Sequence, residues 1–390
     1  MSGSSETQWS GDQSVRVLFM MANYSAVSET WLRRMIDGIR EHVAAVAAVG
    51  IAKVDPSLED LPHFDLARTK RGRRFIERFA KSWLLRHEEL RRFIKDERIS
   101  HVFCHYGTLA ASYLPLFKEL DVPVFVHFHG FDATFDLRND DGTPHHGSDY
   151  RQKIVELSHH AVYVSNSEFT KGQLVAAGVA PERIVVKHLG VEVAAEPKRH
   201  SNTKPVNVLT VGRLVDVKGA DLAIKAFERA VASGADALFQ IIGAGPMGAR
   251  LEAQIAASPA RDRITMLGAL PFSEVSKHLQ QTDLYIQHNI HDPNTNRYEA
   301  YGVSILEALA IGVPALVTRS GGVPEVVGDL APMLAVEPGD VGAQADMLLK
   351  FCDDVDLRSD VGRKCWEWAR DNRTLEHEAK RLTEILETYR

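Results

Sequence analysis

Apolar positions along the chain switch repeatedly between two periods. Short runs rich in β-branched and aromatic residues are separated by longer stretches with apolar residues at helical spacing, from near Val15 to near Val336. The strand-like runs cover residues 15–20, 101–105, 123–127, 161–165 and 184–188, and then 206–211, 237–242, 264–267, 284–287 and 314–318. Helical stretches such as 28–42, 221–232 and 303–311 separate them. This alternation predicts an α/β chain with parallel, doubly wound sheets covered by helices on both faces. It breaks once, at GVEVAAEPKRHSNTKP, which is rich in charge and turn formers and has no apolar period. Beyond Gly339 the pattern is helical only, over 341–352, 357–370 and 374–389.

The predicted organisation is therefore a disordered tail over 1–13, a first domain over 14–195 and a linker over 196–205. A second domain follows over 206–370, and a C-terminal helix over 371–390 returns to brace the first. A chain of 390 residues exceeds what one core usually organises, which agrees with two domains. Ligands of open parallel sheets bind beyond the carboxyl ends of the strands, so the expected site is the cleft between the domains.

Composition narrows the class. The hydrophobic share of 45% and charged share of 25% are those of an ordinary globular protein. No run approaches the roughly 18 uncharged apolar residues of a membrane span. MSGSSETQWSGDQS lacks the apolar core of a secretion signal. Cys104, Cys352 and Cys365 are odd in number and not spaced as metal ligands, so reduced cytosolic thiols are expected. The net charge of −6 hides a basic segment from Arg68 to Arg98, with twelve Lys/Arg against five Asp/Glu. Phe75, Phe79 and Trp83 fall there at helical spacing. An acidic protein without a nucleic-acid motif argues against nucleic acid as the partner. Two readings stand for this segment: a solvated basic face, or peripheral contact with the inner face of an anionic membrane.

The richest chemistry lies in EAYGVSILEALA, where seven residues separate Glu299 from Glu307. Gly302 sits between them at the mouth of a helix, whose free N–H groups and dipole favour an anion. Two readings stand for the pair: one carboxylate takes a sugar's hydroxyls and the other a ribose diol, or both are solvated glutamates of an amphipathic helix. Upstream, Arg213 follows a strand end and Lys218 precedes the next helix, a pair suited to a pyrophosphate. In IIGAGPM, Gly243 and Gly245 permit close backbone approach to a ligand. The loop at Ala269–Leu270 is placed to offer backbone groups to a nucleobase. No GxxxxGK[ST] phosphate loop occurs.

Taken together, VGRLVDVKGADLAIKAF, IIGAGPM, LGALPFSEV and EAYGVSILEALAIGVPALVTRSGGVPEVV resemble the retaining glycosyltransferases of family 4, which have the GT-B fold of two Rossmann-like domains. VSETWLRRMIDGI, VHFHGFDAT and YVSNSEFTKGQL resemble first-domain segments of polysaccharide-building members. The resemblance implies that Arg213 and Lys218 neutralise the donor diphosphate and that Glu307 binds the nucleotide ribose. It places Glu299, with the backbone of Tyr301, Gly302 and Val303, around the donor sugar, and His129 beside the transferred sugar. It also implies a UDP-, GDP- or other nucleoside diphosphate sugar as donor, a glycan or lipid-linked glycan as acceptor, and no metal or cofactor.

Some residues depart from that pattern. The first loop, MANYSAVS, lacks the Gly-Gly turn of relatives. His288, His291, Asn294, Asn296 and Arg297 lie in a long polar loop that is either solvated or shapes donor-sugar choice. His127 and His129 have metal-ligand spacing, but the sequence offers no third ligand nearby. His145–His146 and His159–His160 are expected at the surface or at helix caps. Two alternatives of other classes remain: a sugar-nucleotide epimerase of the same architecture, and a noncatalytic nucleotide-sugar binder.

Overall fold

A computed structural model describes residues 14–22, 30–48, 58, 60–66 and 81–389. The expected N-terminal tail, most of the MANYSAVS loop, Phe75, Phe79 and the side chain of Trp83 lie outside the described residues.

The first sheet contains β1 Val17–Met21, β2 Val43–Ala48, β3 His63–Asp65, β4 His101–His105, β5 Val124–Phe128, β6 Val162–Ser165 and β7 Ile184–Val186. Its order is β3-β2-β1-β4-β5-β6-β7. The second contains β8 Val206–Val211, β9 Ala237–Ile242, β10 Ile264–Gly268, β11 Leu284–Ile286, β12 Ala315–Thr318 and β13 Ala335–Val336. Its order is β10-β9-β8-β11-β12-β13, the same winding as the first. Every pairing is parallel. Strands such as VLFMM and ALVT are buried along their whole length, as sheets covered on both faces require. In each sheet the winding reverses direction beside the first strand, and those switch points face the cleft.

β2 departs from the sequence expectation. The VAAVAA run is not among the strand candidates, because alanine favours helix and the run follows a helical stretch. The helix instead ends at Gly38, a 3₁₀ turn covers Arg40–His42, and all six residues of β2 are buried between β1 and β3. Tertiary burial overrides local preference here.

The chain between the lobes is not a free tether. Ala194 N donates to Ala310 O at 3.0 Å and Lys198 N to Ile311 O at 2.9 Å. Trp366 Nε1 donates to Ala194 O at 2.7 Å. The chain crosses back beside this segment, with Val191 N donating to Arg373 O at 3.0 Å. The final helix, Leu375–Thr388, then buries Leu382, Ile385 and Leu386 against Leu32, Met35 and Ile36 of the first lobe. Among the described residues, no helix is long and apolar enough to cross a membrane.

In the basic segment, helix Lys81–Asp96 buries Leu90 and Ile94 in the first-lobe core. Arg91 is paired with Glu119, while Arg92, Lys95 and Arg98 are exposed.

Candidate functional site between the lobes

The second-lobe half of the site starts where β8 ends. A 3₁₀ turn, Asp216–Lys218, leads to Gly219 at φ 58°, where an added Cβ would lie 1.8 Å from the His288 carbonyl oxygen. Glycine is required there, and the close approach carries Lys218 over the loop that follows β11. Lys218 Nζ pairs with Glu299 Oε2, and both side chains are mostly buried. Asn289 Nδ2 donates to the same carboxylate oxygen at 3.2 Å. Behind Asn289 lie Gln287, whose Nε2 donates to Asn289 Oδ1 at 3.0 Å, and Tyr285, whose hydroxyl donates to Gln287 Oε1 at 2.8 Å. Such a buried polar chain holds the Glu299 carboxylate in one orientation. Glu299 is also fixed through its backbone, because Gly322 N donates to its carbonyl at 2.8 Å.

Gly302, at φ 102°, caps helix Val303–Ala310, and its carbonyl accepts from Ile305 N at 3.1 Å, which leaves the N–H groups of Val303 and Ser304 without an acceptor in the helix. Glu307 projects from the same helix. Arg34, on the first-lobe helix Thr30–Gly38, places its Nη1 3.2 Å from Glu307 Oε1. The Arg34 guanidinium also lies over the Phe272 ring at 4.7 Å. Burial pushes the Glu307 pKa up, and Arg34 works against that shift. The Arg213 side chain is exposed, with no hydrogen bond or ion pair among the described residues.

The first-lobe half is the loop after β5. The Asp132 carboxylate accepts from His129 N at 2.9 Å, Gly130 N at 3.0 Å and Gly107 N at 2.9 Å. Burial nevertheless raises its pKa to about 6, against the pull of those backbone donors. Gly130 has φ 120°, and a Cβ there would lie 2.4 Å from Ala300 Cβ. The loops carrying His129 and Glu299 therefore meet across the cleft. Two more contacts join the lobes nearby. Arg138 N donates to Thr295 O at 2.9 Å. The Glu325 carboxylate accepts from Glu168 N at 2.7 Å and Phe169 N at 2.9 Å, and lies 3.0 Å from His188 Nε2.

Other sequence candidates have different surroundings. The Tyr301 side chain points away from the cleft, with its hydroxyl donating to Leu189 O at 3.1 Å, so only its backbone can face a ligand. At Gly243 a Cβ would lie 1.8 Å from Gly212 O, and at Gly245 one would lie 2.4 Å from Leu214 O. Both glycines are required by the protein's own loop, the one bearing Arg213. Leu270 is partly buried against the second-lobe core. Val303 is partly buried at the helix start.

Two family models tile the chain. The one described as Glycosyltransferase Family 4 matches residues 26–195, and the one described as Glycosyl transferases group 1 matches residues 194–367. The chain belongs to glycosyltransferase family 4.

Relatives of this family 4 chain include the amylovoran biosynthesis glycosyltransferase AmsK of Erwinia amylovora. It is 27% identical over 262 residues, covering 66% of this chain and 62% of that protein. The 2-deoxystreptamine glucosyltransferase of Streptomyces kanamyceticus is 30% identical over 174 residues, covering 43% of this chain and 42% of that protein. The chain thus spans less than two thirds of the length of these relatives. The fold matches Anabaena HepE, solved in complex with UDP and glucose, with a TM-score of 0.73 at 16% identity over 96% of this chain and 99% of that one. The fold is GT-B.

Four residues of the candidate site have no signal in the sequence. Arg34 and Asp132 fall inside recognised segments, but only tertiary structure shows the Glu307 pairing and the three backbone donors. Asn289 and Glu325 act across sequence separations that no local pattern reveals. His288 proves to be structural, lying 2.7 Å from Gln344 Oε1 and accepting from Gly339 N at 2.8 Å. His291 stacks on Tyr298 at 4.2 Å and lies 2.8 Å from Asn296 Oδ1. His146 is not a free surface residue, since it stacks on Tyr150 at 4.3 Å and donates to Phe131 O at 3.0 Å.

Proposed function

We propose that the protein is a retaining glycosyltransferase that moves a sugar from a nucleoside diphosphate sugar to a hydroxyl of a glycan or lipid-linked glycan acceptor. Its setting would be polysaccharide or glycoconjugate synthesis on the cytoplasmic side, with peripheral membrane contact through Arg68 to Arg98. The observation that carries this reading is the convergence of Lys218, Glu299, the helix start at Gly302 and His129 where the two lobes meet.

In this reading the diphosphate lies on the helix N-terminus, with Lys218 and the exposed Arg213 neutralising the charge that grows as the C1–O bond breaks. The acceptor oxygen bonds to C1 on the face the phosphate leaves, and its proton passes to the departing phosphate oxygen. No protein base is needed for that step. Glu299 holds the sugar's hydroxyls, and His129 donates or accepts a sugar hydrogen bond. Leu270 and Ala269 present backbone groups to the base. Because protein groups carry the charge stabilisation, transfer is expected to persist in excess EDTA.

Glu307 is assigned to the ribose diol, so Glu307→Ala should raise the donor KM by about 10–100-fold, from a lost charge-assisted bond of roughly 1.5–3 kcal/mol. Arg34→Ala should change the donor KM less, because it leaves the carboxylate in place. Equal effects of the two variants on unfolding, with no effect on nucleotide affinity, would reduce the Arg34–Glu307 pair to an interlobe contact. His129→Ala should cut kcat about tenfold and leave nucleoside diphosphate affinity nearly unchanged. The opposite pattern would remove His129 from the sugar.

The epimerase alternative needs an acid and a base of its own, and nothing in the cleft favours it over transfer. A screen of nucleoside diphosphate sugars for nucleotide release, with and without glycan acceptors, tests the reading and identifies the donor.

A further inference from the structure

We propose that His105, His127 and His129 form a binding site for a divalent late first-row transition ion, with Zn²⁺ as the reference case, in the first-lobe floor of the cleft. Strand geometry brings the three together. His105 ends β4 and is the register partner of His127 on β5. His129 is two residues beyond His127, so side-chain alternation returns it to the same face of the sheet. Each imidazole contributes one nitrogen, and the three atoms lie within 4.8 Å of one another. The sequence shows only the His127–His129 spacing, and the missing third ligand comes from the neighbouring strand.

The arrangement has the chemistry of an open three-histidine site. His105 Nδ1 lies 3.4 Å from His129 Nε2. Two ligands of a tetrahedral ion at Zn–N distances of about 2.0–2.1 Å are separated by about 3.3 Å, nearly the same edge. His105 and His127 are fully buried, yet among the described residues His105 Nε2 and both ring nitrogens of His127 have no hydrogen-bond partner. Buried polar atoms without partners are costly, and ligation would satisfy at least one of them. Burial also keeps the imidazoles neutral, which is the ligating form: it lowers the His105 pKa to about 3 and those of His127 and His129 well below the ordinary value. His129 is only partly buried, which leaves a way in from the cleft and a fourth position for water or another ligand.

Two features bound the affinity. Lys187, itself paired with Glu378, bears electrostatically on all three imidazoles. Among the described residues no carboxylate is bonded to the far nitrogens of His105 or His127, and such support is worth about 10–100-fold in metal affinity. The site is therefore an intermediate-affinity one. Its consequence rests on the functional reading above: an imidazole that ligates an ion cannot also hydrogen-bond the sugar. Bound Zn²⁺ should compete with the donor sugar at His129 and inhibit transfer.

The test uses full-length, tag-free, chelator-treated protein. Zn²⁺ is titrated by calorimetry, and Co²⁺ by its visible absorption. The proposal expects one site per chain and the intense bands of four-coordinate Co²⁺. His105→Asn and His127→Asn should each weaken Zn²⁺ binding by roughly 100-fold, the upper end of what even supporting residues cost such sites. A His159→Ala/His160→Ala control should bind as the parent does. Circular dichroism and unfolding midpoints check that each variant is folded. Absence of stoichiometric binding, or equal loss in the His159/His160 control, overturns the site. Binding that leaves transfer uninhibited upholds the site and contradicts instead the placing of the sugar at His129.

Discussion

Lys218→Ala should lower kcat/KM by about 10²–10³-fold, the usual cost of removing one preorganised donor from a developing oxyanion, roughly 2.7–4 kcal/mol. The structure adds a reason for the upper end. Lys218 is the partner of Glu299, and the pair is mostly buried. In the proposed donor pose, removing the ammonium leaves the Glu299 carboxylate facing the diphosphate, with Asn289 its one remaining side-chain partner among the described residues. Nucleoside diphosphate affinity should fall much more than nucleoside monophosphate affinity. Adding Glu299→Gln to Lys218→Ala should recover part of the lost nucleotide affinity, because it removes the repulsion that the single change creates. Arg213→Ala should show the same preference for the diphosphate but a smaller loss, since its guanidinium is exposed and leaves no buried partner behind. If Lys218→Ala weakens monophosphate and diphosphate equally, the lysine is not at the phosphates.

Glu378→Ala should be the most destabilising single change considered, by about 3–5 kcal/mol in denaturant unfolding. Glu378 lies on the final helix, which packs against the first lobe. Its carboxylate pairs with Lys187 and accepts from Gly190 N at 2.8 Å, where the chain leaves the first sheet. Both side chains of the pair are almost wholly buried, so the alanine variant strands the Lys187 ammonium away from water. Replacing both, as Lys187→Met with Glu378→Leu, should recover most of the loss, because the cost comes from the uncompensated charge and not from the missing pair. A Glu378→Ala protein within about 1 kcal/mol of the parent would show that water reaches Lys187. Its crossing point would then not be sealed.

What the sequence can disclose follows from what local pattern encodes. β8 and β9 have the bounds that periodicity predicts, and helix Val303–Ala310 falls within one residue of its expected end. Their apolar runs are long and end in glycine or charge. β2 is missed because VAAVAA carries an alanine signal that burial overrides, and β13 because Ala335–Val336 is too short to register. At the site, Glu299 and Lys218 are visible through motif spacing, but their contact is not, since it depends on the close approach at Gly219. Gly243 is legible as a position of close approach, and the structure adds its contact with the Gly212 backbone. Arg34 meets Glu307 across 273 positions of sequence, and His105 meets His129 across a strand register. Neither separation has a local signature.

The proposed same-face displacement demands retention at the transferred sugar, and the anomeric configuration of the product tests it. Once a donor and acceptor have been found by nucleotide release, the new linkage can be assigned by proton NMR. Nucleoside diphosphate release should depend on the acceptor, and the linkage should keep the donor's anomeric configuration. An inverted linkage would rule out the same-face displacement assigned to Lys218, Arg213 and the helix at Gly302, and a donor isomerised without any acceptor would rule out transfer itself.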